Sequence, residues 1–470
     1  MADEVEEIRV IDSEIPDHWE RATFRQLLKD GSLELVQDGN HGGAYPKPDE
    51  FEPTGIPIIT GADLNAGVID LRGCKFLKPT SAERLRIGFA KQGDVLLTHK
   101  GTMGKTAIVP PLSSPYIILN PQLTLYRVSR DGRLNARFLK FFFDGKPFQA
   151  FLERISGIST ISTLSLTVQK SLEIPLPPLA EQKAIAAVLG ALDDKIELNR
   201  KMNATLEAMA RALFQSWFVD FDPVRAKLEG RKPEGLDEAT AALFPDSFKD
   251  SVLGQIPKGW EISTLGSILD VLETGRRPKG GVSSYTSGIP SIGAESINGI
   301  GVFDYSKTKF IPPEFFEKTL SGRIAHFDVL LYKDGGKPGE FKPRVGMYGH
   351  EFPFKTFCIN EHVFRMRSTR AGQSFLYFTV SDQRVLSDFA NKGGKAAIPG
   401  INQPDVKSTP IVLPSKGITD AFNARADILC DQILCNAKQS RTLATLRDAL
   451  LPKLLCGDLS VDKIKEGLVA

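Results

Sequence analysis

Residues 93–109 read GDVLLTHKGTMGKTAIV and pose the first chemical question. An apolar stretch, Val95 to Leu97, runs into glycines and then Gly104-Lys105-Thr106. A phosphate-cradling loop needs G-x-x-x-x-G-K-[ST], because the residues between the glycines wrap their N–H groups around the phosphates. That spacing demands glycine at position 99, which is His99 here, and Gly101 comes two positions too late. The related stretch YKDGGKPGEFKPRV at 332–345 has no Gly-Lys-Ser/Thr. Both observations argue against an ATPase. Asp328 followed by Glu340 and Lys342 gives a D…ExK order, whose carboxylates would hold Mg²⁺ for phosphodiester cleavage. Its first-half counterpart lacks the ExK, and surface charge explains it as well. A metal-dependent nuclease stays as the catalytic alternative. Asn120-Pro121-Gln122-Leu123 lacks the second proline and the aromatic that grip a flipped base. There is no HExxH, and the six histidines are scattered. The residues describe a binder rather than a catalyst.

Glycine beside Lys, Arg, Asn, Thr and Tyr is what the loops offer. In the first half these are DGNHGGAYPK at 38–47, with Asn40, His41, Tyr45 and Lys47, and THKGTMGK at 98–105, with Lys100, Thr102 and Lys105. In the second half they are ETGRRPKGG at 273–281, with Arg276, Arg277 and Lys279; YKDGGKPG at 332–339, with Lys333 and Lys337; and NKGGKAAIPG at 391–400, with Lys395. Glycine lets a backbone approach a phosphate closely. Lys and Arg neutralise phosphates and read guanine, while Asn and Gln read adenine. Solvated turn chemistry is the competing reading. The recurrence of such loops in both halves counts toward function.

The elements that position these loops come in duplicate. Ile15-Pro16-Asp17-His18-Trp19 returns as Ile256-Pro257-Lys258-Gly259-Trp260. GIPIITGADL, GDVLLTHKG, ILN and IPLP return as GIPSIGAESI, FDVLLYKDG, CIN and IVLP. The five offsets, 241, 233, 234, 240 and 237, keep their order and drift as loops gain and lose residues. Two domains of similar fold are expected over roughly 14–176 and 255–412. A long amphipathic helix follows each. In the first, Ile185, Leu189, Leu192, Ile196, Met202, Leu206, Met209, Leu213 and Trp217 recur at threes and fours around Asn199. In the second, Phe422, Ala426, Leu429, Ile433, Leu443, Leu446 and Leu450 follow at the single offset of 237, with Asn436 matching Asn199. The second helix is expected from about Thr419 to Leu451, ended by Pro452 and Gly457. The expected architecture is an antiparallel helical rod holding two heads apart, the first helix having about 39 residues and a length of about 58 Å. Asn199 and Asn436 either set the register of that rod or lie exposed. Residues 223–255 read as an ordered connector with one short helix, LDEATAALF.

Bulk composition agrees with a soluble chain of several domains. The 470 residues are 41% hydrophobic and 25% charged, with a net charge of only +2, so any basic surface must be local. No apolar run approaches the roughly 20 residues that span a bilayer. The acidic stretch MADEVEEIRV does not fit a secretory signal. The five cysteines form no CxxC pair, which argues against a disulfide framework or a zinc site and for a reducing cytoplasm.

Several long strings closely resemble the specificity subunit of type I restriction-modification systems. They are PLPPLAEQKAIAAVLGALDDKIELN at 175–199, ALFQSWFVDFDPV at 212–224, LFPDSF at 243–248 with LGQIPKGW at 253–260, and LRDALLPKLLCGDLSV at 446–461. PSKGITDAFNARAD departs from the proline-leucine-glutamine start usual for the second helix. The resemblance implies an α+β fold: two similar α/β target-recognition domains separated by two long, antiparallel, coiled-coil-like helices. It implies residues 1–176 as the first target-recognition domain, 177–222 as the central conserved helix, 223–254 as a connector, 255–413 as the second recognition domain, and 414–470 as the C-terminal conserved helix and tail. Each domain would read one half of a bipartite double-stranded DNA target, the rod setting a separation of about one DNA turn, ~34 Å. Two modification (methyltransferase) subunits and two restriction (endonuclease/translocase) subunits would be partners, and would carry the S-adenosylmethionine, ATP and Mg²⁺. This chain would hold no cofactor, no metal and no catalytic residue. Trp217, Phe218 and Phe221 are candidates for docking the modification subunit, or they pack onto their own rod. A coiled-coil scaffold without a DNA role is the non-catalytic alternative.

Overall fold

The computed structural model describes residues 7–42, 45–65, 67–156, 163–337, 339–349, 351–394 and 399–463. They fall into two units, residues 1–194 with 443–470 and residues 195–442.

In the first unit, four antiparallel strands lie in the order Thr106–Ile108, Val95–Thr98, Leu123–Val128, Leu33–Asp38. The run VLLT is buried at every position because both faces of the sheet are covered. Alternate residues serve different cores, as the two-residue period of a strand requires. Val95, Leu97 and Tyr126 join the cluster under the helix Ala136–Asp144, with Phe138, Phe142 and Phe143. Leu96, Ala107 and Leu125 face Ile59, Ile117 and Leu119 of a second, five-stranded sheet. The strand Leu172–Leu176 pairs with Ile8–Arg9 and with Glu20–Thr23, and leads directly into the central helix. Trp19 of the repeated Ile-Pro-x-x-Trp pins that helix's start, its indole N–H donating to Glu181 Oε2 at 3.0 Å.

The second unit repeats this plan. Val345–Met347, Val329–Tyr332, Val363–Arg367 and Val271–Thr274 follow in the same order, with Gly299–Ile300 added at the edge. Glu261–Thr264 pairs antiparallel with Pro410–Leu413, as Glu20–Thr23 does with Leu172–Leu176. Internal ion pairs repeat too. Arg127 grips Asp94 at 2.7 and 2.9 Å beside one strand, and Arg367 donates to Asp328 at 2.5 Å beside its counterpart.

The central helix spans Leu179–Phe218 and the C-terminal helix Lys416–Cys456. Within the second unit they run antiparallel and share a polar layer. Asn199 is 1% exposed, and its amide N–H donates to Gln439 Oε1 at 2.8 Å and Ser440 Oγ at 3.2 Å. Asn436 donates to Asn203 Oδ1 at 2.9 Å, and Asn203 to Ile433 O at 3.2 Å. The two asparagines are therefore buried register devices, not exposed surface.

Three expectations need correction. The seam expected along the central helix is broken: Met202 and Met209 are exposed, whereas Ala210, Phe214 and Phe218 are buried. One stripe cannot run the whole length because the helix serves the first unit over residues 179–194 and the second over 195–218. Pro452 does not end the C-terminal helix, which continues to Cys456 because Leu454 and Leu455 are buried in the first unit's core. Gly457, at φ +81°, provides the stop. The connector holds two helices, Asp222–Leu228 and Glu238–Leu243, rather than one.

Candidate nucleic-acid interface

The chemistry-bearing loops of the first unit converge where its strands end. The turn at 120–122 is the hub. Asn120 Oδ1 accepts from Gln122 N at 3.1 Å, and Asn120 N donates to Ile59 O at 2.9 Å. His99 N donates to Gln122 O, and Leu164 N to His99 O, both at 2.8 Å. Lys105 Nζ donates to Gly61 O at 2.9 Å. Gly39 passes so close that a Cβ there would stand 1.9 Å from Asn120 O, which only glycine avoids. Loops at 39–42, 60–63, 98–106, 120–122 and 163–164 thus form one surface.

The second unit builds the same frame. Asn360 Oδ1 accepts from His362 N at 3.0 Å, and Asn360 N donates to Ile292 O at 3.0 Å. Lys333 N donates to His362 O at 2.9 Å, and Ile401 N to Lys333 O at 2.8 Å. Gly275 passes against Ile359 O, where a Cβ would stand 1.6 Å away. Backbone scaffolding is thus shared while the side chains differ. His99, Lys100, Gln122, Asn40 and His41 on the first frame correspond to Lys333, Asp334, His362, Arg276 and Arg277 on the second.

The electrostatics differ accordingly. Burial pushes the His99 pKa down, Asp38 opposes this and Lys100 reinforces it; Thr124 Oγ1 lies 2.9 Å from its Nδ1. On the second frame, burial raises the Asp334 pKa, but hydrogen bonds from Lys333 and His362 outweigh it and hold the carboxyl low. Arg277 Nε lies 2.9 Å from Glu361 Oε1, a charge contact without hydrogen-bond alignment.

His41, Lys47, Lys100, Thr102, Arg276, Arg277, Lys279 and Lys337 are exposed. Tyr45 and Lys333 are half-buried, Tyr45 packing beside Ile58 and Leu77. Lys105 is half-buried and clamps one loop to another, so it positions the surface rather than projecting from it. Asn40 is 1% exposed and holds the loop by its backbone N–H to Leu119 O at 2.7 Å, which corrects the expectation of a contacting side chain. Lys395 lies outside the described residues.

Trp217, Phe218 and Phe221 are 2%, 7% and 8% exposed, inside the second unit's core. Trp217 packs on Phe244 at 5.1 Å, and Phe218 on Phe375 at 5.0 Å and Phe422 at 5.1 Å. They are structural, and the docking expectation for them is corrected. What the central helix does expose is Leu198, Met202 and Met209.

The glycine loop is not a phosphate cradle. It joins antiparallel strands, and its N–H groups are used internally: Thr98 N to Lys105 O, Gly104 N to Thr98 O, and Lys105 N to Thr98 Oγ1. The nuclease pattern also dissolves. Asp328 is fully buried between Arg365 and Arg367, while exposed Glu340 and Lys342 pair with each other at 2.7 Å.

Gln122, Asp334, Glu361 and His362 were missed by the sequence reading. The pairing of ILN with CIN held the signal, since Gln122 and His362 each stand two residues beyond the repeated asparagine.

Comparison with known proteins agrees with this construction. The family model described as the type I restriction modification DNA specificity domain matches residues 34–208. The MjaIX specificity subunit of a type I restriction enzyme from Methanocaldococcus jannaschii is 27% identical over 447 residues, covering 93% of this chain and 96% of its own. The HindI specificity subunit from Haemophilus influenzae is 26% identical, covering 78% and 87%. In fold, the chain is similar to a crystal structure of a type I restriction-modification system S subunit from M. genitalium, with TM-score 0.50, 14% identity and coverage of 95% and 97%. The duplicated frames, the two long helices and these likenesses point the same way: the chain is similar, over nearly its whole length, to specificity subunits of type I restriction enzymes.

Proposed function

We propose that each frame reads one half of a bipartite double-stranded DNA target, the first unit one half-site and the second the other. The observation that carries this reading is the shared backbone hub with exchanged side chains, at Asn120–Gln122 and Asn360–His362. A scaffold kept constant while its displayed side chains change suits one task performed on two sequences. Lys100, Lys279 and Lys337 are exposed point charges suited to phosphates. Arg276, Gln122 and His362 have the donor and acceptor patterns for base edges.

The chain itself is non-catalytic and binds no cofactor. S-adenosylmethionine, ATP and Mg²⁺ belong to two modification and two restriction subunits, in the cytoplasm. No helix of the described residues is long and apolar enough to cross a membrane. The long helices set the spacer between half-sites and dock the modification subunits. The exposed stripe Leu198, Met202 and Met209, at i, i+4 and i+11, replaces Trp217, Phe218 and Phe221 as the docking candidate.

Band-shift measurements with the modification subunit present, at several salt concentrations, test this reading. Binding to the cognate site should persist where binding to unrelated DNA fades. Equal affinity for both at every salt concentration would support a scaffold instead.

A further inference from the structure

Each unit is completed by the end of a helix that begins in the other. Residues 443–456 of the C-terminal helix belong to the first unit, and residues 195–218 of the central helix to the second. The two helices are repeats of each other at offset 237, so their apolar patterns alone do not say which end belongs where. Leu451 and Leu455 on one correspond to Phe214 and Phe218 on the other, and all four are buried.

A group of four charges does say it. In the first unit, Lys140 is 8% exposed, and its Nζ donates to Asp144 Oδ2 at 2.7 Å and to Asp193 Oδ2 at 3.2 Å. Arg447, from the C-terminal helix, donates to Asp193 Oδ1 at 2.7 Å. The Thr106 hydroxyl donates to the remaining Asp144 oxygen, tying the group to the recognition hairpin. At the single offset of 237, the equivalents of Lys140, Asp144 and Asp193 are Tyr377, Ser381 and Cys430, and that of Arg447 is Ala210. None carries a charge at neutral pH, and Tyr377, Cys430 and Ala210 are 1%, 0% and 0% exposed.

We propose that Lys140, Asp144, Asp193 and Arg447 form a pairing key that admits the end of the C-terminal helix to the first unit and excludes the end of a central helix from a second copy of this chain. Seating a central helix there would place Ala210 where Arg447 stands, leaving Lys140 alone against two part-buried carboxylates. Seating the C-terminal helix on the second unit would bury Arg447 beside Tyr377 and Cys430, with no carboxylate at the positions equivalent to Asp144 and Asp193 and with Asp427, the part-buried acid beside Cys430, already accepting from Ser374 Oγ. A buried charge that has lost its partner is strongly disfavoured, whereas the matched set adds little net stability over apolar packing. The arrangement therefore selects partners more than it strengthens them. It protects a duplicated chain against exchange of its similarly built halves.

Co-expression of two full-length copies carrying different affinity tags tests the key, with capture of one tag and quantification of the other. The unmodified chain should show little co-capture. Lys140→Tyr, Asp144→Ser, Asp193→Cys and Arg447→Ala together, which install the second unit's residues, should raise it at least about fivefold. Asp193→Arg alone should also raise it, and Asp193→Arg with Arg447→Asp should return it toward the unmodified level. Co-capture unchanged by the four-residue graft, or an inverted pair that exchanges as freely as Asp193→Arg, would overturn the proposal. Should the graft fail to fold, the comparison between Asp193→Arg and the inverted pair decides alone.

Discussion

At the scale of single residues, exposure and hydrogen bonding separate side chains that project from the loop surface from those that hold it together. Lys100 is exposed at the hairpin tip, so Lys100→Ala should weaken binding to all sequences alike and reduce the salt slope by about one. Arg276→Ala should instead cost about 1–3 kcal/mol at one position and relax the base preference there, read from affinities for a panel of site variants. Trp217→Ala and Phe218→Ala should lower the unfolding free energy by about 3–5 kcal/mol each, measured by denaturant titration, because both sit in the aromatic core. A stable Trp217→Ala chain that lost only its modification subunit would contradict that placement. His99 carries a pH signature. Burial lowers its pKa in the folded chain, so its contribution is complete above the unfolded value of about 6.5 and is lost as pH falls through that value toward the folded pKa. Thermal melts from pH 8 to 5.5 should show a steeper loss for the natural chain than for His99→Gln.

At the scale of elements, the hub turns and the helix pair carry the geometry. Gly39→Ala should abolish folding of the first unit, since the added Cβ would stand 1.9 Å from Asn120 O. Asn199→Leu should leave Gln439 and Ser440 short of a donor and cost about 1–3 kcal/mol in unfolding free energy. Much of this level was legible in the sequence. Repeated strings located the paired strands, and threes-and-fours spacing located both helices. The register of Asn199 against Asn436 was visible only as two alternatives, because an apolar stripe does not say which partner covers it. Met202 and Met209 misled for the same reason: a helix serving two cores changes its buried face along its length. Pro452 misled because tertiary burial of Leu454 and Leu455 overrides a local stop signal. Among site residues, glycine and lysine marked the right loops, yet Gln122 and His362 were hidden in turns whose role depends on long-range hydrogen bonds to residues 59 and 292.

At the scale of the whole molecule, one chain presents two versions of the same surface and completes each unit with a helix begun elsewhere. The proposed function then implies modularity: the determinants of each half-site would lie within one unit's frame, and the helices would govern how the half-sites are spaced. Inserting whole helical turns near Asn199 should lengthen the spacer of the methylated site, whereas an unchanged spacer would remove the helices from that role. The most direct test of the central claim is a genome-wide methylation map from a host whose specificity subunit has residues 14–176 replaced by the corresponding domain of another family member. The account predicts a bipartite site in which one half-site changes and the other is retained. Both halves changing together, or neither, would contradict it.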